Sequence, residues 1–237
     1  MTGIHESMTL GELISAHPAL ARQLEQRGLD YCCGGGRTLA QACAEIGIDA
    51  ATVVGQLGAS AGDGESPAWA LMDVVQLVDH LESTHHRYLW AELPRLATLV
   101  NKVASVHGGR HRELAKVQRV FHETRTDLEP HLLKEERVLV PRVRRLAASG
   151  AVPAAGAGVQ DPISTLLAEH DRVGELLAEL RELSGGYEVP ADVCASFQAC
   201  YDGLAELEAD THLHVHKENN ILFPAVLRLE DRLTATR

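Results

Sequence analysis

Two stretches of this chain share one frame: "DLEPHLLKEERVLVP", residues 127–141, and "DTHLHVHKENNILFP", residues 210–224. Both read D-x-x-x-H-x-x-x-E-x-x-x-L-x-P. Residues four apart on an α-helix differ by only about 40° around its axis, so His131 and Glu135 project side by side, as do His214 and Glu218. A single His-x-x-x-Glu is expected about once by chance in a chain of this composition and decides nothing alone. Each copy here, however, interrupts an apolar helical stripe: Leu114, Val117, Phe121, Leu128 and Val138 in one, Val193, Phe197, Leu204, Leu207 and Ile221 in the other. Polar side chains stand where a core is expected, twice, in the same register.

Working outward, each copy has a histidine one helix upstream. "LAEHDRVGELLAEL" places His170 among Leu166, Leu167, Val173, Leu177 and Leu180, facing the core; "STHHRYLWAEL" offers His86, on a stripe with Leu89, Leu93 and Leu96, or His85, on a stripe with Leu81 and Val78. Four amphipathic stretches, approximately 69–104, 109–147, 162–184 and 190–229, carry these residues. They predict an all-α protein built on a four-helix up-and-down bundle. Residues 1–57 read as a small helical module with capping boxes at Thr9/Glu12 and Thr38/Gln41, and the Gly-rich segment 58–68 as a flexible linker to the bundle at 69–237.

Two hairpins, each giving one histidine from its first helix and a histidine and glutamate from its second, supply four imidazoles and two carboxylates. Mixed nitrogen and oxygen donors inside a bundle suit a carboxylate-bridged pair of iron or manganese ions, and the share of imidazole favours iron. Six donors exceed the four of one tetrahedral zinc. Leaving six such groups in an apolar interior without a partner would cost roughly 1–3 kcal/mol each. Asp127 and Asp210, one turn before the ligating histidines, are expected to accept the remaining ring N–H and fix the tautomer. His212 and His216 point about 160° away from His214 and are expected at the surface. His80, His107, His111 and His122 have no counterpart in the other hairpin and are expected at solvated or rim positions. Pro141 and Pro224 are expected to kink or end their helices.

A net charge of −11, from 22 basic and 33 acidic residues, gives no electrostatic footprint for nucleic acid or an anionic membrane. The first residues lack a basic segment followed by an apolar run, and no stretch approaches the roughly 20 apolar residues of a membrane helix, so a soluble cytoplasmic protein is expected. Five cysteines, two of them adjacent, do not form a disulfide framework. Cys200 falls on the core stripe; Cys43 and Cys194 have no evident task. Cys32 and Cys33 precede "GGG", where a turn with positive φ is expected. They read either as a mobile thiol pair that binds metal transiently, exchanges disulfide or meets a partner, or as a buried pair in a tight turn.

"LGELISAHPALARQLEQRGLDYCCGGGRTLAQAC", residues 10–43, resembles the N-terminal module of the RIC (repair of iron centres) iron–sulfur cluster repair proteins, marked by its "DYCCGG" turn. The rest of the chain resembles their hemerythrin-like domain. The resemblance implies a stress-response protein that restores iron–sulfur clusters damaged by nitric oxide or oxidants by supplying iron. It makes His86 rather than His85 a ligand, beside His131, Glu135, His170, His214 and Glu218, and it implies two irons bridged by both glutamates and an oxo group. It further implies damaged iron–sulfur proteins as partners, with Cys32 and Cys33 relaying iron or touching the client, and leaves a homodimer open. Binding, scavenging or reduction of nitric oxide or oxygen at the same centre, without iron delivery, is the rival reading; a metal-free structural bundle is a third. Against the family pattern, Pro130 stands directly before His131, predicting a bend in the helix at the metal, and the glycine run is one residue longer.

Overall fold

The computed structural model describes residues 3–60, 67–150 and 158–235, and no strand occurs among them. The N-terminal module comprises α1 (Leu10–Ala16), α2 (Ala21–Glu25), α3 (Leu39–Glu45) and α4 (Ala50–Ser60). Both capping boxes form: Thr9 Oγ1 accepts from Glu12 N at 3.1 Å and Glu12 Oε2 from Thr9 N at 2.9 Å, and Thr38 and Gln41 repeat the arrangement. The two boxes lie back to back, with Leu10 N donating to Arg37 O at 2.9 Å and Leu39 N to Met8 O at 2.8 Å, so the starts of α1 and α3 are fixed to each other. Of the expected linker, residues 58–60 belong to α4, residues 61–66 lie outside the described residues, and Pro67 leads into a 3₁₀ turn at Ala68–Leu71.

The bundle follows. α5 (Val74–Leu81), capped by Asp73, passes through a π-helical turn at Glu82–His86 into α6 (Arg87–His107). α7 (Leu114–Lys134) passes through Glu135–Leu139, again π-helical, into α8 (Val140–Ser149). α9 (Gln160–Leu183) is uninterrupted, and α10 (Ala195–Lys217) continues through a third π-turn, Glu218–Leu222, into α11 (Phe223–Ala235). Neighbours in the ring are α6 with α7, α7 with α9, α9 with α10 and α10 with α6, an up-and-down four-helix bundle.

Each π-turn takes up one extra residue and offsets the faces before and after it. This corrects the sequence stripes at their ends. Val138 is 38% exposed and Leu139 takes the buried position, while Ile221 is half-buried and Leu222 fully so. It also corrects the expectation for the prolines. Pro141 and Pro224 fall in the first turn after a π-turn and do not end their helices, which run on to Ser149 and Ala235. Pro130 lies within α7, which continues to Lys134.

The apolar interior divides in three. One core, with Leu93, Leu96, Phe121, Leu177, Phe197 and Leu204, fills the bundle on the α6–α7 loop side of the π-turns. A second, with Trp69, Leu81, Val143, Ile163, Leu222 and Val226, fills the far side. The third belongs to the N-terminal module, where Leu10, Leu13, Leu24 and Leu39 pack together and reach Val215 on α10. The module therefore sits on the bundle.

Candidate metal centre

Between the two bundle cores lies a polar layer. His86, His131, Glu135, His170, His214 and Glu218 are each no more than 2% exposed. Two comes from each of the long helices that carry the frame: Glu135 opens the π-turn after α7 and Glu218 the one after α10, four residues beyond His131 and His214. His86 closes the first π-turn, and His170 projects from the middle of α9.

The layer has two halves that share their carboxylates. Glu135 turns Oε1 toward His131 Nε2 at 3.1 Å and His170 Nε2 at 3.8 Å, and Oε2 toward His86 Nε2 at 3.4 Å and His214 Nε2 at 3.9 Å. Glu218 divides likewise, with Oε2 3.2 Å from His170 Nε2 and Oε1 3.4 Å from His214 Nε2. Either half, His86 with His214 or His131 with His170, offers two ring nitrogens and an oxygen from each glutamate within cation-binding range. Both Glu135 oxygens, Glu218 Oε2, His86 Nε2 and His214 Nε2 are buried without a hydrogen-bond partner, and His131 Nε2 faces His170 Nε2 at 3.1 Å. Buried donors that converge in this way without satisfying one another fit a cation at their centre.

Electrostatics favour the same arrangement. Burial would raise the Glu135 carboxyl, but the charge of His131 and its neighbouring imidazoles outweighs it and holds the group well below the carboxylate range; Glu218 is lowered too. Burial would push His170 down, but Glu135 and Glu218 together hold it up at about 10, and His214 is raised by the same carboxylates. Positive charge is favoured between the glutamates.

The outer ring nitrogens find partners that the sequence reading did not name. His86 Nδ1 meets Glu136 Oε1 at 3.2 Å, an oxygen that also accepts from Trp90 Nε1 at 2.8 Å. His131 Nδ1 meets Glu169 Oε2 at 3.0 Å, and Lys134 holds the other Glu169 oxygen. His170 Nδ1 donates to Asn219 Oδ1 at 2.8 Å. Asp127 and Asp210 do not fill this role. Asp127 is an exposed residue 3.7 Å from Arg172, because the outer edge of the His131 ring faces α9 and not the preceding turn of its own helix. Asp210 instead accepts from His85 Nδ1 at 2.8 Å.

Behind the His86–His214 half lies a second buried group. His85 stacks on His214 with ring centroids 5.4 Å apart, and its Nε2 accepts from Lys217 Nζ at 2.7 Å, which also reaches His80 at 2.9 Å and covers the Trp69 ring. Desolvation lowers Lys217 to about 8 and His85 to about 4. His85 is thus buried but does not present its ring to the glutamates. His212 and His216, expected at the surface, are covered. His212 pairs with Glu25 at 3.1 Å, and His216 is fully buried against Tyr31 and Ser15, because the N-terminal module occupies that side of α10. His107, His111 and His122 are partly exposed; His107 contacts Cys194, and His122 pairs with Asn101.

In the Cys-Cys turn, Asp30 Oδ1 accepts the N–H groups of Cys32 and Cys33, both at 3.0 Å, and Oδ2 that of Gly34 at 2.8 Å. Both thiols are free, with the sulfurs 3.9 Å apart. Cys32 is buried, and its hydrogen bond to Cys33 together with burial keeps it a thiol. Cys33 lies against Gly174 of α9 and lines a cleft of about 480 Å³ with Asp30, Asp171, Glu175 and Arg181. None of Gly34, Gly35 and Gly36 has positive φ. The glycine that matters is Gly35, which leaves room for Asn220: an added Cβ would stand 2.6 Å from Tyr31 O.

A four-helix bundle with a buried layer of paired histidines and shared glutamates is a cation-binding protein of the hemerythrin class, and comparison with known proteins agrees. Residues 77–226 match the hemerythrin HHE cation-binding domain, and residues 6–61 match ScdA_N, a domain of unknown function. The chain is 32% identical over 221 residues to the iron–sulfur cluster repair protein YtfE of Enterobacter sp. (strain 638), covering 92% of this chain and 96% of that one. It is 30% identical over 226 residues to the proteins of the same name from Salmonella paratyphi B and Salmonella newport, covering 94% of this chain and 98% of each. The chain belongs to this family of iron–sulfur cluster repair proteins, the RIC family.

Proposed function

We propose that this protein repairs iron–sulfur clusters damaged by nitrosative or oxidative stress, and that it does so by supplying iron from a centre of two ions. The observation that carries the reading is the division of each glutamate, one oxygen to each histidine pair. Carboxylates so placed would serve two cations, each glutamate giving one oxygen to each histidine pair. His86 and His214 would hold one iron, His131 and His170 the other, with Glu135 and Glu218 between them; mixed imidazole and carboxylate donors of this kind suit iron. Ferrous iron bound there would supply both cargo and redox chemistry.

The chain's own residues would orient this centre. Glu136, Glu169 and Asn219 orient the rings so that each Nε2 faces inward. Asp30, Cys32 and Cys33 form a second group of donors at the adjoining cleft, placed to pass iron on or to touch a client protein. The division into a module at 1–57, a connector at 58–68 and a bundle at 69–237 belongs to the same reading, as does work in the cytoplasm. No helix among the described residues is long and apolar enough to cross a membrane.

One observation favours a second reading, the binding, scavenging or reduction of nitric oxide or oxygen. Each half offers four donors, two nitrogens and two oxygens, fewer than the six common for iron, so an iron held there would have room for a small diatomic ligand. Iron content and the visible spectrum of anaerobically purified protein come first. Loaded protein is then mixed with a nitric-oxide-damaged [4Fe–4S] enzyme, and client activity is followed for wild type and for Cys32→Ser/Cys33→Ser. Two irons per chain, and recovery that fails in the double variant while its spectrum is intact, support delivery. Nitric oxide consumption without client recovery in either protein refutes it in favour of the second reading.

A further inference from the structure

Glu136 and Asn219 hold the same place in the two copies of the duplicated frame, each directly after its shared glutamate. Each accepts the outer N–H of the histidine on the other helix of its own hairpin, Glu136 from His86 and Asn219 from His170. Their remaining contacts differ. The Glu136 oxygen bonded to His86 is also held by Trp90, so that connection stays inside the bundle. Asn219 is an amide, with a donor to spare, and its Nδ2 reaches the carbonyl of Cys32 at 3.3 Å. Since a carbonyl can only accept and the ring N–H only donate, the amide orientation is fixed by its partners.

Asn220 strengthens the attachment. Its Nδ2 lies 3.1 Å from Cys32 O and 3.2 Å from Tyr31 O, under Gly35, while Gly174 lets Cys33 close on α9 one turn beyond His170. The outer nitrogen of His131 ends on Glu169 and Lys134, within the bundle. Among the hydrogen bonds of the described residues, His170–Asn219–Cys32 is the two-bond path from a proposed ligand to the N-terminal module.

We propose that Asn219 is a positioning residue that ties the Cys-Cys turn to the His170 ring, so that the His131–His170 half of the centre senses whether the module is seated and gives up its ion first when the module lifts. The inference rests on the two-iron reading above. Coupling of this kind is reciprocal: if seating tightens one ion, that ion must steady the seat.

The full chain is loaded anaerobically with ferrous ion. Two quantities are read: release of each ion to a ferrous chelator, and hydrogen exchange of the amides from Cys32 to Gly35 with and without iron. Asn219→Asp keeps an acceptor for His170, as Glu136 is for His86, but loses the donor to Cys32. Asn220→Ala loosens the seat without touching the ring, and Asp127→Asn is an exposed control. In wild type iron slows exchange of the turn; in Asn219→Asp two ions still bind and that slowing is lost. In Asn220→Ala one of two ions leaves faster by about 5-fold or more, the low end of a typical coupling between two sites, and the other is unchanged. Asp127→Asn matches wild type. Iron-dependent slowing that survives in Asn219→Asp, or equal acceleration of both ions in Asn220→Ala, overturns the inference while leaving the centre intact. A wild-type chain that cannot hold two ions refutes the reading of the centre, and this inference with it.

Discussion

Glu135→Leu separates the shared-carboxylate reading from every reading in which the layer is only a buried polar cluster. Its two oxygens serve different histidine pairs, at 3.1 Å from His131 and 3.4 Å from His86, so one substitution removes a donor from both halves. In the metal-free chain the change strips the imidazoles of a carboxylate that is 1% exposed, and breaking a buried ionic contact from one side costs roughly 3–5 kcal/mol. In the loaded chain the loss is larger. Free ion at 100 times its dissociation constant stabilises a single-site protein by about 2.7 kcal/mol, and for a chain of this size each kcal/mol moves Tm by about 2–4 °C. Wild type should therefore rise by about 5–11 °C on anaerobic addition of ferrous ion, and Glu135→Leu should not rise at all. His86→Ala, which spares the His131–His170 pair, should keep one ion per chain and part of the rise. Scanning calorimetry with metal analysis of the same samples decides it. A Glu135→Leu protein that keeps the full metal-dependent rise refutes the bridging role, and one more stable than metal-free wild type returns the layer to a purely structural part.

Exchanging Glu169 for Gln weakens the hold on the His131 ring and should lower iron affinity about 10- to 100-fold, whereas Asp127→Asn should leave it unchanged; equal effects in a chelator competition would contradict the observed ring partners. His216 is lowered by burial to about 4, against an ordinary value of about 6.5, so on acidification the unfolded chain takes up the proton first. Stability is therefore full above about pH 6.5 and falls between there and pH 4 by about 3 kcal/mol from this residue. Urea midpoints of the metal-free chain should fall more steeply in wild type than in His216→Gln, and parallel slopes would show that the ring is not held neutral. Cys194 is exposed, and its contact with His107 Nε2 lowers the thiol to about 7. Iodoacetamide at pH 7.5 should label it before Cys32, Cys43 and Cys200, and His107→Ala should slow that labelling several-fold.

The bundle was legible because burial imposes a period, and the layer because polar residues at core positions recur in one frame. His170 could be placed from its neighbours alone. What the sequence hid depends on partners far along the chain. The His212–His216 side of α10 looks solvent-facing until the module covers it, and nothing in "HLHVHK" announces that. Asp127 lost its expected role because the two nitrogens of a ring lie on opposite edges, so a ligand facing inward points its other nitrogen at the adjacent helix. A usable signal did exist. Glu136, Glu169 and Asn219 each stand next in sequence to a candidate ligand, but an adjacent residue lies about 100° away on an ideal helix and is discounted by the same periodicity that found the ligands.

The three π-turns act together as a vernier along the bundle. Above and below the ligand layer the buried faces follow different registers, as the exchange of Val138 for Leu139 and of Ile221 for Leu222 shows. A long helix that slid by one turn to improve one core would misalign the other, so axial slippage is penalised from both ends. The six side chains of the layer stay opposed because hydrophobic packing fixes their height. If the layer holds iron as proposed, packing of this kind would let it be emptied and refilled without refolding the bundle.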